Sequence, residues 1–232
     1  ASSNSGQISL GTNVVVADNA YIERGVYGGG SYGFTEATSN LYVTGGTVDG
    51  KNGGVNGTTY QASITGGVFG GACQNRGGTV NIYMDGGLVE GGVHGGSNAT
   101  GTLSGSVTMN INGGQVGTSS NPANIHGGGY GAATRVSQNV DITLGASGQT
   151  TPGVIVYGDV YGGSALGYVN GTAATNTYHT YVTMNKGTIN GSLYGGGLGA
   201  AGTAANVYGP VQVKVYGGSV RKTDANGANG SG

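Results

Sequence analysis

The chain contains no tryptophan, two phenylalanines, three prolines and one cysteine, and only 17 of its 232 residues are charged. Each shortage removes a class of protein. A lone Cys73 cannot form an internal disulfide, so a disulfide scaffold is excluded and stability must come from packing and hydrogen bonding. Eight Lys and Arg set against nine Asp and Glu leave a formal net charge of -1. That balance offers no basic surface for phosphates, and nucleic acid is not expected as a partner. No apolar run approaches the ~20 residues that a bilayer-crossing helix needs. The longest, Val14-Val15-Val16, is followed within two residues by Asp18, so this segment is not expected to insert into a membrane. The sequence opens Ala1-Ser2-Ser3 rather than on Met, as expected of a mature chain after signal removal or of an excised segment.

What is abundant is glycine, at 55 residues, with 15 tyrosines and many Val, Ile and Thr. Glycine does not recur at every third position, which excludes collagen. Disordered chains are poor in β-branched and aromatic residues. Here those residues alternate in short runs, so the composition points to a folded, repetitive β protein.

The repeat is visible when the chain is aligned on Gly-Gly pairs that follow alternating runs. Leu41 to Gly46, Ala62 to Gly67, Val80 to Gly87, Val107 to Gly114, Val182 to Gly187 and Val211 to Gly218 align in this way, and Val140 to Leu144 is a looser copy. A second short run follows each pair, such as Thr47-Val48-Asp49-Gly50. A third element, VYGGG or a variant, appears at 26–30, 68–71, 93–96, 125–129, 160–163 and 193–197. In Val107 to Asn112 the apolar residues fall at every second position, the period of a strand with one buried face. Helical periodicity is absent, and helix is expected to be essentially missing.

Anchor spacing decides the architecture. A four-stranded propeller blade needs about 40–45 residues, whereas successive anchors here lie from 20 to about 40 residues apart. A floor near 20 with variable excess fits a parallel β-solenoid with loop insertions. The expected fold is therefore all-β: one right-handed β-helix domain of seven or eight coils over residues 14–220, with three short strands per coil and a flexible tail at 221–232. At ~4.7–4.9 Å per coil the rod would be roughly 35 Å long. Gly-Gly and Asn-Gly pairs are expected at the corners, where positive φ or the lack of a side chain is required.

Candidate site residues follow from the third element. Tyr27, Phe69, His94, His126, Tyr161 and Tyr194 share one repeat position and should form an aromatic ladder. The ladder either supports the coils by cross-strand pairing or serves, with Tyr32, Tyr130 and Tyr168 nearby, as a strip that binds a ligand. Because His94 and His126 stand where other copies carry Tyr or Phe, they are read as rungs and not as metal ligands or bases. His179 lies in an insertion with no carboxylate nearby in sequence and is expected to be solvated. No metal site and no cofactor are expected, since three scattered His and one Cys do not make the close set that zinc requires. Asp49 and Glu90 share a face but are expected two coils apart, and no compact carboxylate pair for glycoside hydrolysis is apparent. Sequons stand at Asn56, Asn98, Asn170, Asn190 and Asn229.

Repeats of this form, as in Val182 to Gly197 (VTMNKGTINGSLYGGG), resemble the glycine-rich β-solenoid repeats of large bacterial surface and secreted proteins, including adhesins and autotransporter passengers. The similarity covers about residues 20–220. It implies an extracellular or cell-surface location and a non-enzymatic role in adhesion or display, with a glycan or a protein of another cell as partner. A self-assembling filament subunit that stacks through uncapped end coils is the alternative, and a carbohydrate-active enzyme a weaker one.

Overall fold

The computed structural model describes residues 7–31, 33–50, 66–74, 77–172 and 177–221. Among them there is no helix, and hence none long and apolar enough to cross a membrane. The chain is a parallel β-solenoid of seven rungs.

One long side carries five-residue strands in a single unbroken register: Thr12–Val16, Ser39–Val43, Val80–Met84, Val107–Ile111, Val140–Leu144, Thr180–Met184 and Val211–Val215. Period-2 alternation points their odd members inward, so Leu41, Ile82, Met109, Ile142 and Val182 stack in one buried column. A second side holds seven two-residue strands, from Tyr21–Ile22 to Ser219–Val220. A third holds six, from Gly25–Tyr27 to Leu193–Tyr194. Apart from Val220, the apolar residue of each joins the same core, which runs from Val16 to Ile189.

Three strands per coil understates the fold. In the middle rungs the chain lays down a fourth side, Asn98–Leu103 beside Tyr130–Val136 beside Tyr168–Val169, and near the start Gln7–Ile8 pairs with Phe34–Thr35. Insertions after the third element are long enough to be knitted into the stack. A register shift between Asn98 and Thr100 at that joint is taken up by Ala99, at φ 62°.

The expected copy at 62–67 is not a rung of the long side. Ser39–Val43 pairs directly with Val80–Met84, and Gly67 opens the third-side strand Gly67–Phe69; residues 62–65 lie outside the described residues. The first rung, Thr12–Val16, lacks a Gly-Gly anchor because Asp18, at φ 54°, turns that corner instead. Elsewhere the anchor glycines Gly46, Gly87, Gly114, Gly187 and Gly218 all have positive φ, from 74° to 123°, which glycine adopts without steric cost. Tyr32, the sequons at Asn56 and Asn229, and the expected tail beyond Arg221 lie outside the described residues. The sequons at Asn98 and Asn170 are fully buried, and the Asn170 side chain is engaged with Gln138, His179 and Thr180.

Candidate functional site

On the third side, each apolar residue turns inward and the next residue therefore turns its ring to the opposite face. Tyr27, Phe69, His94, His126, Tyr161 and Tyr194 form one continuous stack. Neighbouring centroids are 4.5–5.2 Å apart and interplanar angles are 6–11°. Glycine follows every ring, and the backbone continues the stack: the N–H groups of Gly70, Gly95, Gly127 and Gly162 each donate to the carbonyl of the next rung's ring residue at 2.8–2.9 Å.

The ladder is an inner structure along most of its length. Phe69 is 0% exposed, His94 3%, His126 2% and Tyr161 7%, whereas Tyr194 is 44% exposed because no further third-side strand is described above it. Each enclosed ring has both faces covered by its neighbours, so a ligand cannot stack on them. Tyr130 meets the edge of His94, with centroids 5.5 Å apart at 76°. Tyr168 stands apart on the fourth side, tilted against Tyr208 with the Arg135 guanidinium 5.7 Å from its ring centre.

Burial sets the protonation of the ladder. It holds His94 well below the ordinary histidine range, with the neighbouring His126 adding to the depression. His126 is pushed down to about 3, again by burial, against the opposing pull of the Asp159 carboxylate. Both rings are neutral at pH 7, and the Nδ1 atom of each has no hydrogen-bond partner. Burial also raises Tyr27 to about 12, although Asn98 Nδ2 donates to its hydroxyl at 3.1 Å and favours the charged form. Tyr161 is raised first by burial and then by Asp159, which accepts its hydroxyl proton at 2.9 Å. Burial likewise raises the thiol of Cys73, beside Tyr27.

Where the second side turns into the third, a groove of about 320 Å³ opens beside the middle of the ladder. Asp49-Gly50 and Glu90-Gly91 line it together with the edges of His94 and His126, the 121–124 segment and Tyr130. Of the nine expected site residues, the groove thus gathers His94, His126 and Tyr130. Asp49 and Glu90 belong to adjacent rungs and are not two coils apart: Val48 pairs with Val89, and Glu90 N–H donates to the Val48 carbonyl at 2.8 Å. The expected two-coil separation treats 62–67 as an intervening coil, which it is not. Because both carboxylates follow equivalent strand ends, they share one side of the groove. Asp49 also accepts a hydrogen bond from the Tyr21 hydroxyl.

The 121–124 segment is not legible in the sequence as part of a site. It belongs to an insertion after Gly117 whose turn is closed by Thr118: its N–H donates to the Asn121 carbonyl at 2.9 Å, and its Oγ1 accepts from Asn121 N–H at 3.0 Å. Asn124 ties the insertion to both neighbouring rungs, its carbonyl accepting from Val93 N–H and its Oδ1 from Asp159 N–H. The Ser-Ser-Asn-Pro run at 119–122 is a loop signal, but only rung register shows which groove it borders.

His179 is not solvated alone. Its Nε2 lies 3.1 Å from Asp141 Oδ1, and its ring stacks on Tyr181 at 3.9 Å. Strand pairing of Asp141 with Tyr181 brings the carboxylate there across 38 residues of chain. Among the described residues no group of three or more His, Cys, Asp or Glu is placed to hold a metal ion. No family model, curated protein or solved structure matches the chain.

Proposed function

We propose that this chain is a non-enzymatic module for adhesion or display outside the cell, a short rod that binds a glycan in the groove beside its aromatic ladder. The observation that carries this reading is the groove itself, where carboxylates, the 121–124 segment and a tyrosine converge on about 320 Å³. Two or more rungs build its sides, so the hydrogen-bonding groups are held before a ligand arrives and little ordering is lost on binding. With a net charge of -1 the molecule does not steer an anionic polymer towards itself. Hydroxyl groups of a neutral sugar are suitable donors to Asp49 and Glu90. Contact is made at the ring edges and loops, because stacking on the enclosed rings is blocked.

Hydrolysis is the less favoured use of the same residues. It requires two carboxylates flanking the scissile bond, and these two stand side by side along one side of the groove. A glycan array probed with the intact chain, followed by calorimetry on the best ligand, tests the proposal. Replacing both acids, Asp49→Asn with Glu90→Gln, should weaken binding at least tenfold, in line with about 1–3 kcal/mol for hydrogen bonds to charged groups. Tyr216→Ser, far from the groove, should leave affinity unchanged. Absence of binding to any glycan, or binding indifferent to the double substitution, would refute the reading, and release of reducing ends from the bound glycan would convert it into an enzyme.

A further inference from the structure

The groove beside the ladder holds more unpaired hydrogen-bond acceptors than its position in the fold requires. Glu90 and His94 come from one corner of one rung, joined through Gly91 and Gly92; Asp49 lies in the rung on one side and His126 in the rung on the other. The Glu90 carboxylate makes no hydrogen bond or ion pair with any described residue. The two imidazoles border the groove by their edges, since their faces are covered in the stack. Both are buried, and the Nδ1 atom of each is without a partner. Buried polar atoms are nearly always hydrogen-bonded in folded proteins, and leaving one unpaired is unfavourable. Two on consecutive rungs at one groove mark a place where a ligand supplies the missing donors.

The chemistry of that donor follows from the groups that await it. The Gly91 backbone hydrogen-bonds the His94 ring. With Nδ1 unpartnered, that bond falls on Nε2, which carries the proton of the neutral ring, and Nδ1 is left as a bare acceptor. Among the described residues that line the groove there is no Lys or Arg, so its charge is that of the carboxylates. A carboxylate that loses water on binding is best compensated by a cation. A sugar hydroxyl donates one hydrogen bond and carries no charge, whereas an ammonium donates three, accepts none and is positive. Charge-assisted bonds are about twice as strong as neutral ones.

We propose that the groove selects a glycan bearing a free amine, its ammonium seated among Glu90 and the edges of His94 and His126, while neighbouring hydroxyls of the same sugar donate to Asp49. The proposal rests on the glycan reading of the same groove and narrows its ligand class. Acetylation of the amine removes the charge and two of its three donors, so the N-acetylated sugar is the natural competitor to be rejected. The acceptor set is local to these rungs. In the next rung the position of Glu90 is taken by Gly117, where the chain leaves into the insertion that borders the groove.

The intact chain is probed on an array in which each N-acetylated glycan is printed beside its de-N-acetylated twin, and the best pair is then measured by calorimetry at a pH where the amine is charged. The free amine should bind about tenfold more tightly than its acetylated twin, the effect of hydrogen bonds to a charged group. Glu90→Gln should bring that ratio close to one. His94→Phe, which copies the Phe69 rung and removes one bare acceptor, should lower it several-fold. Glu36→Gln removes the same charge as Glu90→Gln from an exposed position outside the groove and should leave the ratio as it is. Equal or tighter binding of the acetylated twin would overturn the proposal and leave the glycan reading standing. A ratio that survives Glu90→Gln, or that falls equally with Glu36→Gln, would also overturn it, the second by showing attraction to net charge alone. Failure to bind any member of any pair would refute the glycan reading itself. The comparison of twins uses the unaltered chain, so it decides the matter even if a variant fails to fold.

Discussion

At the scale of single residues, the two ladder histidines make stability depend on pH. His94 and His126 are neutral in the folded chain and are held below the ordinary value, the latter at about 3, by burial. Unfolded, each titrates near 6.5. Below that pH the unfolded chain binds more protons than the folded one, so stability falls with acidification. For His126 the loss continues until the pH approaches about 3. Each histidine shifts the folding equilibrium by up to tenfold per pH unit within that window. The urea midpoint should therefore drop steadily from pH 7 to pH 4.5. The substitution pair His94→Phe and His126→Phe, which copies the natural Phe69 rung, should remove most of that slope between pH 6.5 and 5, where carboxylates contribute little. An unchanged slope in the double variant would show that the two rings are not buried bases.

At the scale of the rung, glycine has two distinct jobs. The anchor glycines turn a corner at positive φ, but those after the ladder rings are needed for space. A Cβ on Gly163 would lie 2.8 Å from the backbone of Gly197 in the next rung, whereas one on Gly196, the same repeat position one rung on, would meet nothing within 4 Å. Neither residue has positive φ. Gly163→Ala should thus destabilise the fold by about 1–3 kcal/mol through overpacking. Gly196→Ala should be neutral or stabilise by up to about 1 kcal/mol, because alanine narrows the unfolded ensemble. Thermal melts of the two variants compare stacking and chain entropy at one repeat position. A similar contrast between local and inter-rung requirements governs what is legible in the sequence. Alternation and Gly-Gly spacing reveal strands, rungs and the ladder column because they depend on residues close in sequence. The groove, the Asp141–His179 contact and the adjacency of Asp49 and Glu90 depend on which rung lies next to which. A single Gly-Gly pair at 66–67, resembling an anchor but opening a ladder strand, is enough to misplace that count.

At the scale of the whole molecule, the solenoid is a one-dimensional array in which each rung contacts only its neighbours. Stability then approximates a sum of rung and interface contributions, and opening proceeds from the ends. The two ends differ. The first rung has its inner valines largely covered, while the seventh exposes Val211, Val213, Val215 and Val220, and each has one neighbouring long-side strand among the described residues. Its hydrogen bonds to the sixth rung are consequently supported by the least buried apolar surface in the stack. Amide exchange should be fastest in 211–220, slower in 180–189, and slowest in Val107–Ile111, which lies between two fully packed rungs. Exchange at the first rung should be slower than at the seventh, despite their equal distance from the centre. Uniform exchange along all seven rungs would instead mean that the array opens as a single cooperative unit.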